Sequence, residues 1–206
     1  MLAQLGAAWL GRDVFDRAVC KKPVVECGLI ADAARYGFHA TLKAPFHLKD
    51  GCTEAQLIQA LNVFTSQKAL VNIGPIMVSD IEGFLALVPE EQSQDLSLLA
   101  DDCVRAFDAL RRPMDEQELA RRRLAALSPR QDEHLRDWGY PFVFEDFRFH
   151  MTLTSRLSTR EKPAVLAMAE RHFYPIVGKD LVIDQICLFS EPESGADFTV
   201  IQSFNL

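Results

Sequence analysis

The 206-residue chain has no apolar run long enough to cross a membrane, no Cys-x-x-Cys pair and no excess of positive charge. A transmembrane helix needs roughly 20 consecutive apolar residues, so the first absence argues against a membrane span. Residues 1–11 also lack a basic segment ahead of an apolar one, the pattern of a secretory signal, and a cytoplasmic location is expected. The five cysteines, Cys20, Cys27, Cys52, Cys103 and Cys187, are odd in number and scattered, with no histidine cluster at zinc spacing. They read as reduced bystanders, with neither a disulfide framework nor a metal site expected. Lysine and arginine total 22 against 29 aspartate and glutamate, a formal net charge of -7. Affinity for long nucleic acid comes from neutralising many backbone phosphates, so this balance opposes it; a small anionic ligand in a local pocket suits the chain better. Core material is abundant: 49% hydrophobic residues in 23.2 kDa, ample for a single domain or two tightly joined lobes.

Histidine is scarce, five in all, yet two of the five open the same string: His39-Ala40-Thr41-Leu42 and His150-Met151-Thr152-Leu153. Two of five histidines followed by this pair of residues is a coincidence on the order of one in several thousand at ordinary abundances. Both copies lie on alternating apolar and polar runs. In a strand residues i and i+2 share a face, so His39, Thr41 and Lys43 look one way while Phe38, Ala40 and Leu42 look the other. In the second copy Arg148, His150, Thr152, Thr154 and Arg156 share the polar face, with Phe149, Met151, Leu153 and Leu157 towards the core. Each strand therefore presents an imidazole, a hydroxyl and nearby positive charge to one surface, which is equipment for binding and protonating a phosphate ester.

A helix over Leu2–Leu10, ended by Gly11, precedes the first histidine strand, and a second strand is expected after His47, ending at Asp50 and Gly51. Thr53 with Gln56 forms a capping-box pattern at the start of a helix whose buried stripe is Leu57, Leu61 and Phe64. Strands are expected at 70–80 and 84–88, then a helix over 96–110 with apolar positions Leu96, Leu99, Cys103, Phe107 and Leu110, closed by Pro113. The polar segment 115–136 reads as exposed helices broken at Ser128 and Pro129, its three consecutive arginines, 121–123, as a solvated face, and the aromatic residues from Trp138 to Phe149 as packing. After the second histidine strand come a helix over 160–172 and strands at 181–189 and 198–204. The two halves then share a plan of helix, histidine strand, helix, strand, with lobe one at 1–82, lobe two at 83–206 and exchange of strands between them allowed. The second half has a strand before its first helix and the first half has none; a duplicated fold would leave a sheet edge open there, so a further strand ahead of residue 1 or another cover for that edge is expected.

The two His-x-Thr-Leu strands resemble the signature of the 2H phosphoesterase superfamily, which includes cyclic phosphodiesterases and RNA 2'-5' ligase-like proteins. The fuller strings Tyr36-Gly37-Phe38-His39-Ala40-Thr41-Leu42-Lys43 and Phe147-Arg148-Phe149-His150-Met151-Thr152-Leu153-Thr154, with Trp9-Leu10-Gly11-Arg12-Asp13, resemble an uncharacterised bacterial branch of it, often encoded beside phosphonate-utilisation genes. The resemblance covers nearly the whole chain. It implies a bilobal α+β fold, each lobe an antiparallel sheet with helices outside, and a cleft between them lined by the motif strands.

The residues themselves suggest a mechanism. An unperturbed imidazole titrates near ~6.5, so at neutrality one histidine can be neutral while its partner is protonated. The neutral ring would take a proton from water as it attacks phosphorus in a cyclic phosphodiester, and the protonated ring would give one to the departing oxygen. The sequence treats His39 and His150 alike, so either can be base or acid. Thr41 and Thr152 would hold the non-bridging oxygens, with Lys43 or Arg148 adding charge. Thr154 and Arg156 are expected at the cleft behind them, and Tyr36 either stacks on a base or sugar or is buried. This chemistry needs no metal or cofactor. His47 reads as structural or rim-lining because Pro45 interrupts the strand; His134 reads as exposed, and His172 as a helix-end cation. The expected partner is a small phosphorylated substrate. An enzyme acting on RNA 2',3'-cyclic ends and a non-catalytic phosphate sensor are the alternatives.

Overall fold

The computed structural model describes residues 1–16, 22–123 and 126–206, and Cys20 lies outside them. The fold is α+β. Its centre is a hairpin of β1 (Val71–Ile81) and β2 (Phe84–Pro89), joined by the turn at Glu82 and Gly83, on either side of the expected lobe boundary. β2 is interior: β3 (Met151–Thr152) pairs with its other edge, and Leu85, Ala86 and Leu87 are fully buried. β4 (Asp180–Ile183) completes an antiparallel sheet in the order β3-β2-β1-β4. A second sheet pairs β5 (Gln185–Ser190) with β6 (Thr199–Asn205). The expected strand at 181–189 is therefore two strands: the chain leaves the first sheet after Ile183 and enters the second at Gln185, and the Asp184 carbonyl accepts from Leu206 N–H.

The helices follow their apolar stripes. α1 (Leu2–Leu10) buries Trp9 and Leu10, and the Trp9 indole donates to the Leu153 carbonyl at 2.8 Å, tying the helix to the second motif. α2 (Ala31–Tyr36) is a short turn leading into the first motif. α3 (Glu54–Thr65) starts at the Thr53–Gln56 capping box and buries Leu57, Leu61 and Phe64. α4 (Gln94–Asp108) turns Leu96, Leu99, Cys103 and Phe107 inward and packs on β1, as does α7 (Lys162–Phe173). The polar segment forms α5 (Glu116–Arg122) and α6 (Pro129–Trp138), the latter capped by Ser128. No helix among the described residues is long and apolar enough to cross a membrane.

Several local expectations are corrected. The chain after His47 forms no strand; a single bridge joins Leu48 to Arg111. His47 itself is exposed. His134 is not exposed: its side chain keeps 12% of its surface, lodged between α6 and the turn at 144–146, with Nδ1 3.5 Å from Asp146 and Nε2 3.8 Å from Glu145. Both carboxylates lie within the aromatic run, and Phe144 meets the His134 ring edge-on, so packing of that run draws the histidine in. His172 ends α7 as expected, but Nε2–H donates to the Leu5 carbonyl of α1 at 2.9 Å.

Cys27, Cys52, Cys103 and Cys187 are unpaired thiols. Burial within the α4 stripe pushes Cys103 up to about 12, whereas Cys27 is exposed. Only the thiolate is nucleophilic, so Cys103 in the native protein should alkylate about 10³-fold more slowly than an ordinary free thiol near neutral pH. Mass mapping after brief iodoacetamide treatment should find Cys27 labelled and Cys103 labelled only after denaturation. Equal labelling of both would show that the α4 stripe is not buried.

Candidate active site

The two His-x-Thr-Leu segments meet each other. Ala40 pairs with Met151 in an antiparallel bridge, and Met151 belongs to β3, whose other edge is held by β2. Continuing that register by one residue sets His39 across from Thr152 and Thr41 across from His150. Because alternate residues share a face, the two imidazoles and two hydroxyls belong to one surface. The first segment is not a regular strand, since the bridge at Ala40 is its only pairing, and β3 has two residues rather than the long alternating run expected. The apolar side behind holds: Phe149, Met151, Leu153 and Leu157 are all buried.

The same local device orients both rings. His39 Nδ1 lies 2.9 Å from the Gly37 carbonyl, and His150 Nδ1 lies 2.8 Å from the Arg148 carbonyl, each two residues upstream. A carbonyl oxygen only accepts, so Nδ1 carries a proton in both rings and Nε2 is the nitrogen that is bare when the ring is neutral. His39 Nε2 lies 3.0 Å from the Thr41 hydroxyl, which donates to it when the ring is neutral. Tyr36 stacks on the His39 ring at 5.8 Å and Phe189 tilts against it at 5.4 Å; His150 has Phe84 at 5.8 Å.

The environment lowers the pKa of His39. Burial among these rings is the main cause; the hydrogen bond to Gly37 opposes it, and the positive charge of a protonated His150 adds to it. His39 therefore stays neutral to a lower pH than a free imidazole.

A cleft of about 240 Å³ opens at this surface. His39, Tyr36 and Gly37 line it from the first motif, Thr152, Thr154, Ser155 and Arg156 from the second, with Asp32 and Ala33 of α2 and Phe84 of β2. The predicted residues divide accordingly. Thr41 reaches the site through His39, and His150 borders it beside Phe84. The Thr154 hydroxyl accepts from the Leu85 N–H at 2.9 Å and its side chain is buried, so it mainly holds β2 against the motif. Lys43 is not brought to the cleft. Its ammonium donates to the Val104 carbonyl at 3.0 Å and pairs with Asp108 at 3.3 Å on α4, because the chain leaves extended pairing after Ala40 and the strand parity fails. The Arg148 guanidinium is largely exposed, 3.8 Å from Glu82; what it supplies to the site is its carbonyl.

Sequence reasoning missed Asp32, Phe84, Ser155, Arg12 and Gly37. Arg12 donates to the Ala34 and Arg35 carbonyls at 2.9 and 3.0 Å and to the Phe198 carbonyl, clamping the end of α2 just ahead of His39. The Trp9-Leu10-Gly11-Arg12-Asp13 string thus braces both motifs, Trp9 on Leu153 and Arg12 on the residues before Gly37. Its position in the resembling string was the one available signal.

Residues 41–199 match the family described as protein of unknown function DUF1045. This chain belongs to that family. The match begins at Thr41 within the first motif and takes in the second whole. The chain is also 38% identical over 211 residues to the ribose 1,5-bisphosphate phosphokinase PhnN of Janthinobacterium sp. (strain Marseille), covering 95% of this chain and 46% of that protein. It is 37% identical over 199 residues to the protein of the same name from Laribacter hongkongensis (strain HLHK9), again covering 95% and 46%. The chain therefore spans about half the length of the curated relatives it matches. No solved structure matches it significantly.

Proposed function

We propose that this DUF1045 chain is a phosphoesterase that hydrolyses a small cyclic phosphodiester by paired-histidine acid/base catalysis. The observation that carries the reading is the bridge between Ala40 and Met151 with His39 and His150 beside it, each ring pinned at Nδ1 by the carbonyl two residues upstream. Two imidazoles that expose the same nitrogen to one surface can take and give a proton on opposite sides of a phosphorus centre.

His39, the ring kept neutral, is the base. Its Nε2 takes a proton from water as the water oxygen bonds to phosphorus. The acid role falls to His150, whose proton passes from Nε2 to the leaving oxygen as the P–O bond breaks. With substrate in place the Thr41 hydroxyl turns from His39 Nε2 to a non-bridging oxygen, which frees that nitrogen for water, and Thr152 donates to another, where charge builds in the transition state. The bilobal, duplicated arrangement implied by the resemblance to 2H phosphoesterases is part of this proposal, with the motif bridge as its centre.

A phosphonate-linked sugar or nucleotide phosphate is the substrate class we favour, from the resemblance of the motif strings and from the phosphorylated ribose in the relatives' name. We do not extend the phosphokinase activity to this chain. Its one Gly-Lys pair, Gly178 and Lys179, is followed by Asp180 and has Phe173 five positions earlier, where a phosphate-cradling Gly-x4-Gly-Lys-Ser/Thr loop needs a hydroxyl and a glycine.

Assay against a panel of 2',3'-cyclic nucleotides and cyclic sugar phosphates tests the proposal. Turnover is expected, with a bell-shaped kcat/KM profile. The acid limb follows protonation of His39; because that pKa is depressed, its midpoint should lie below ~6.5, and activity should persist to lower pH than an ordinary imidazole allows. A flat profile between about pH 5 and about pH 9 would exclude a two-histidine mechanism. Binding of cyclic phosphates without turnover would make the chain a sensor, and steeply salt-dependent action on RNA ends would make it an RNA-end enzyme.

A further inference from the structure

We infer that the cleft has a second anion-binding end, built on Arg156, and that its substrate carries a phosphomonoester in addition to the reacting phosphodiester. This deepens the phosphoesterase reading and rests on it for the identity of the reacting group.

The cations of the first motif and of its bracing segments are all held by other groups. Lys43 is paired with Asp108, Arg35 with Glu191, and Arg12 with carbonyls and Asp197. Each of these cations is spoken for inside the protein. Arg156 lines the cleft and, among the described residues, its hydrogen bond goes to a neutral acceptor, the Glu82 carbonyl, through Nη1. No carboxylate among the described residues forms an ion pair with it, and Nε and Nη2, the edge that forks a phosphate, have no acceptor there. The Glu82 carbonyl is presented by the β1–β2 turn, where Glu82 has φ 50 and Gly83 φ 109. Arg156 is therefore held from behind by backbone. The Glu82 carboxylate faces Arg148 at 3.8 Å with both side chains 74% exposed, a contact screened by solvent.

Size and lining agree. A cleft of about 240 Å³ is smaller than the roughly 300 Å³ at which drug-sized pockets begin, so it suits a sugar-sized substrate. Tyr36 offers no free ring to a nucleobase: it stacks on Phe198 at 4.7 Å and on His39, and the Arg35 guanidinium lies 5.1 Å over it. Asp32, the carboxylate of the lining, is acceptor-only and suits sugar hydroxyls.

The test compares ligands that differ by one phosphate. Calorimetry on the native protein should show methyl riboside 3,5-bisphosphate binding about tenfold tighter, or more, than methyl riboside 3-phosphate. In Arg156→Gln the ratio should fall to between about one and two, and Arg156→Lys, which keeps the charge but not the fork, should be intermediate. In turnover, methyl riboside 2,3-cyclic phosphate with a 5-phosphate should show a similar advantage in kcat/KM over the same compound without it. A binding ratio near one in the native protein, or a preference that survives Arg156→Gln, overturns the subsite. An Arg156-dependent binding preference with neither cyclic compound turned over keeps the subsite and overturns the hydrolase. Equal turnover of both compounds, with equal binding, does the reverse.

Discussion

Replacing His39 or His150 by alanine should lower kcat on a cyclic phosphodiester by about 10²- to 10⁴-fold in each case, the range for losing one positioned acid or base. Removing both should cost little more than removing one, because residues that act as a unit are strongly non-additive. Neither loss should come from unfolding. Both rings are only partly buried, and both are held by backbone carbonyls at Nδ1 rather than by packing on every side. The two variants should also differ in kind. His39→Ala removes the group whose protonation sets the acid limb of the kcat/KM profile, so that limb should vanish. His150→Ala removes the proton donor, and a substrate with a p-nitrophenolate leaving group, which departs without protonation, should restore much of its rate while doing little for His39→Ala. Rescue of His39→Ala instead would reverse the roles, and activity within tenfold of native in either variant would remove that histidine from the mechanism.

The assignment of base to His39 depends on features the sequence does not display. As strings, the motifs are interchangeable: each has an aromatic residue before the histidine and Thr-Leu after it. The asymmetry comes from Tyr36 and Phe189 packed on one ring and a more open surface at the other. Phe189 arrives on β5, whose existence as a strand separate from β4 depends on the break at Asp184. Sequence signals of short range were legible. The Thr53–Gln56 box, the α4 stripe and the hairpin around Glu82 each follow from residues within a few positions of one another, and each stands in the structure close to where those residues put it.

Strand parity places side chains only where strand pairing continues. Phe149, Met151 and Leu153 are buried as alternation requires, because β2 keeps the second motif extended. Lys43 lies beyond the single bridge at Ala40, and nothing there enforces the alternation that would have carried it to the face of His39. Its charge goes to Asp108, a residue of α4 that local pattern could not place beside it. The charge left in the cleft is that of Arg156, which alternation puts on the face of His150 and which does line the cleft.

Gly37→Ala should damage both stability and chemistry, and more than its one added methyl group suggests. Gly37 has φ 75 and ψ 175, a region that only glycine occupies readily, so a side chain there costs about 1–3 kcal/mol in backbone strain. Its Cβ would also lie 1.9 Å from Val14 Cγ1 and 3.2 Å from Arg12 Nη1, adding an overpacking cost of about 1–3 kcal/mol. Together these should lower Tm by roughly 4–24 °C for a chain of this size. Relief of the clash must move Val14, the Arg12 clamp or Gly37 itself. The last two shift the carbonyl that holds His39 Nδ1, and with it the direction of Nε2. Residual folded protein should therefore show a kcat reduced by tenfold or more at unchanged protein concentration, since misplacement of about 1 Å can cost 10²-fold. Gly51→Ala is the control. Gly51 has φ 83, but nothing lies within 4 Å of the point its new methyl group would occupy, so it bears the backbone strain without the clash and lies away from the cleft. Its Tm should fall by less, and its kcat should stay native. Equal losses of kcat in the two variants would show that the Gly37 carbonyl does not aim the base.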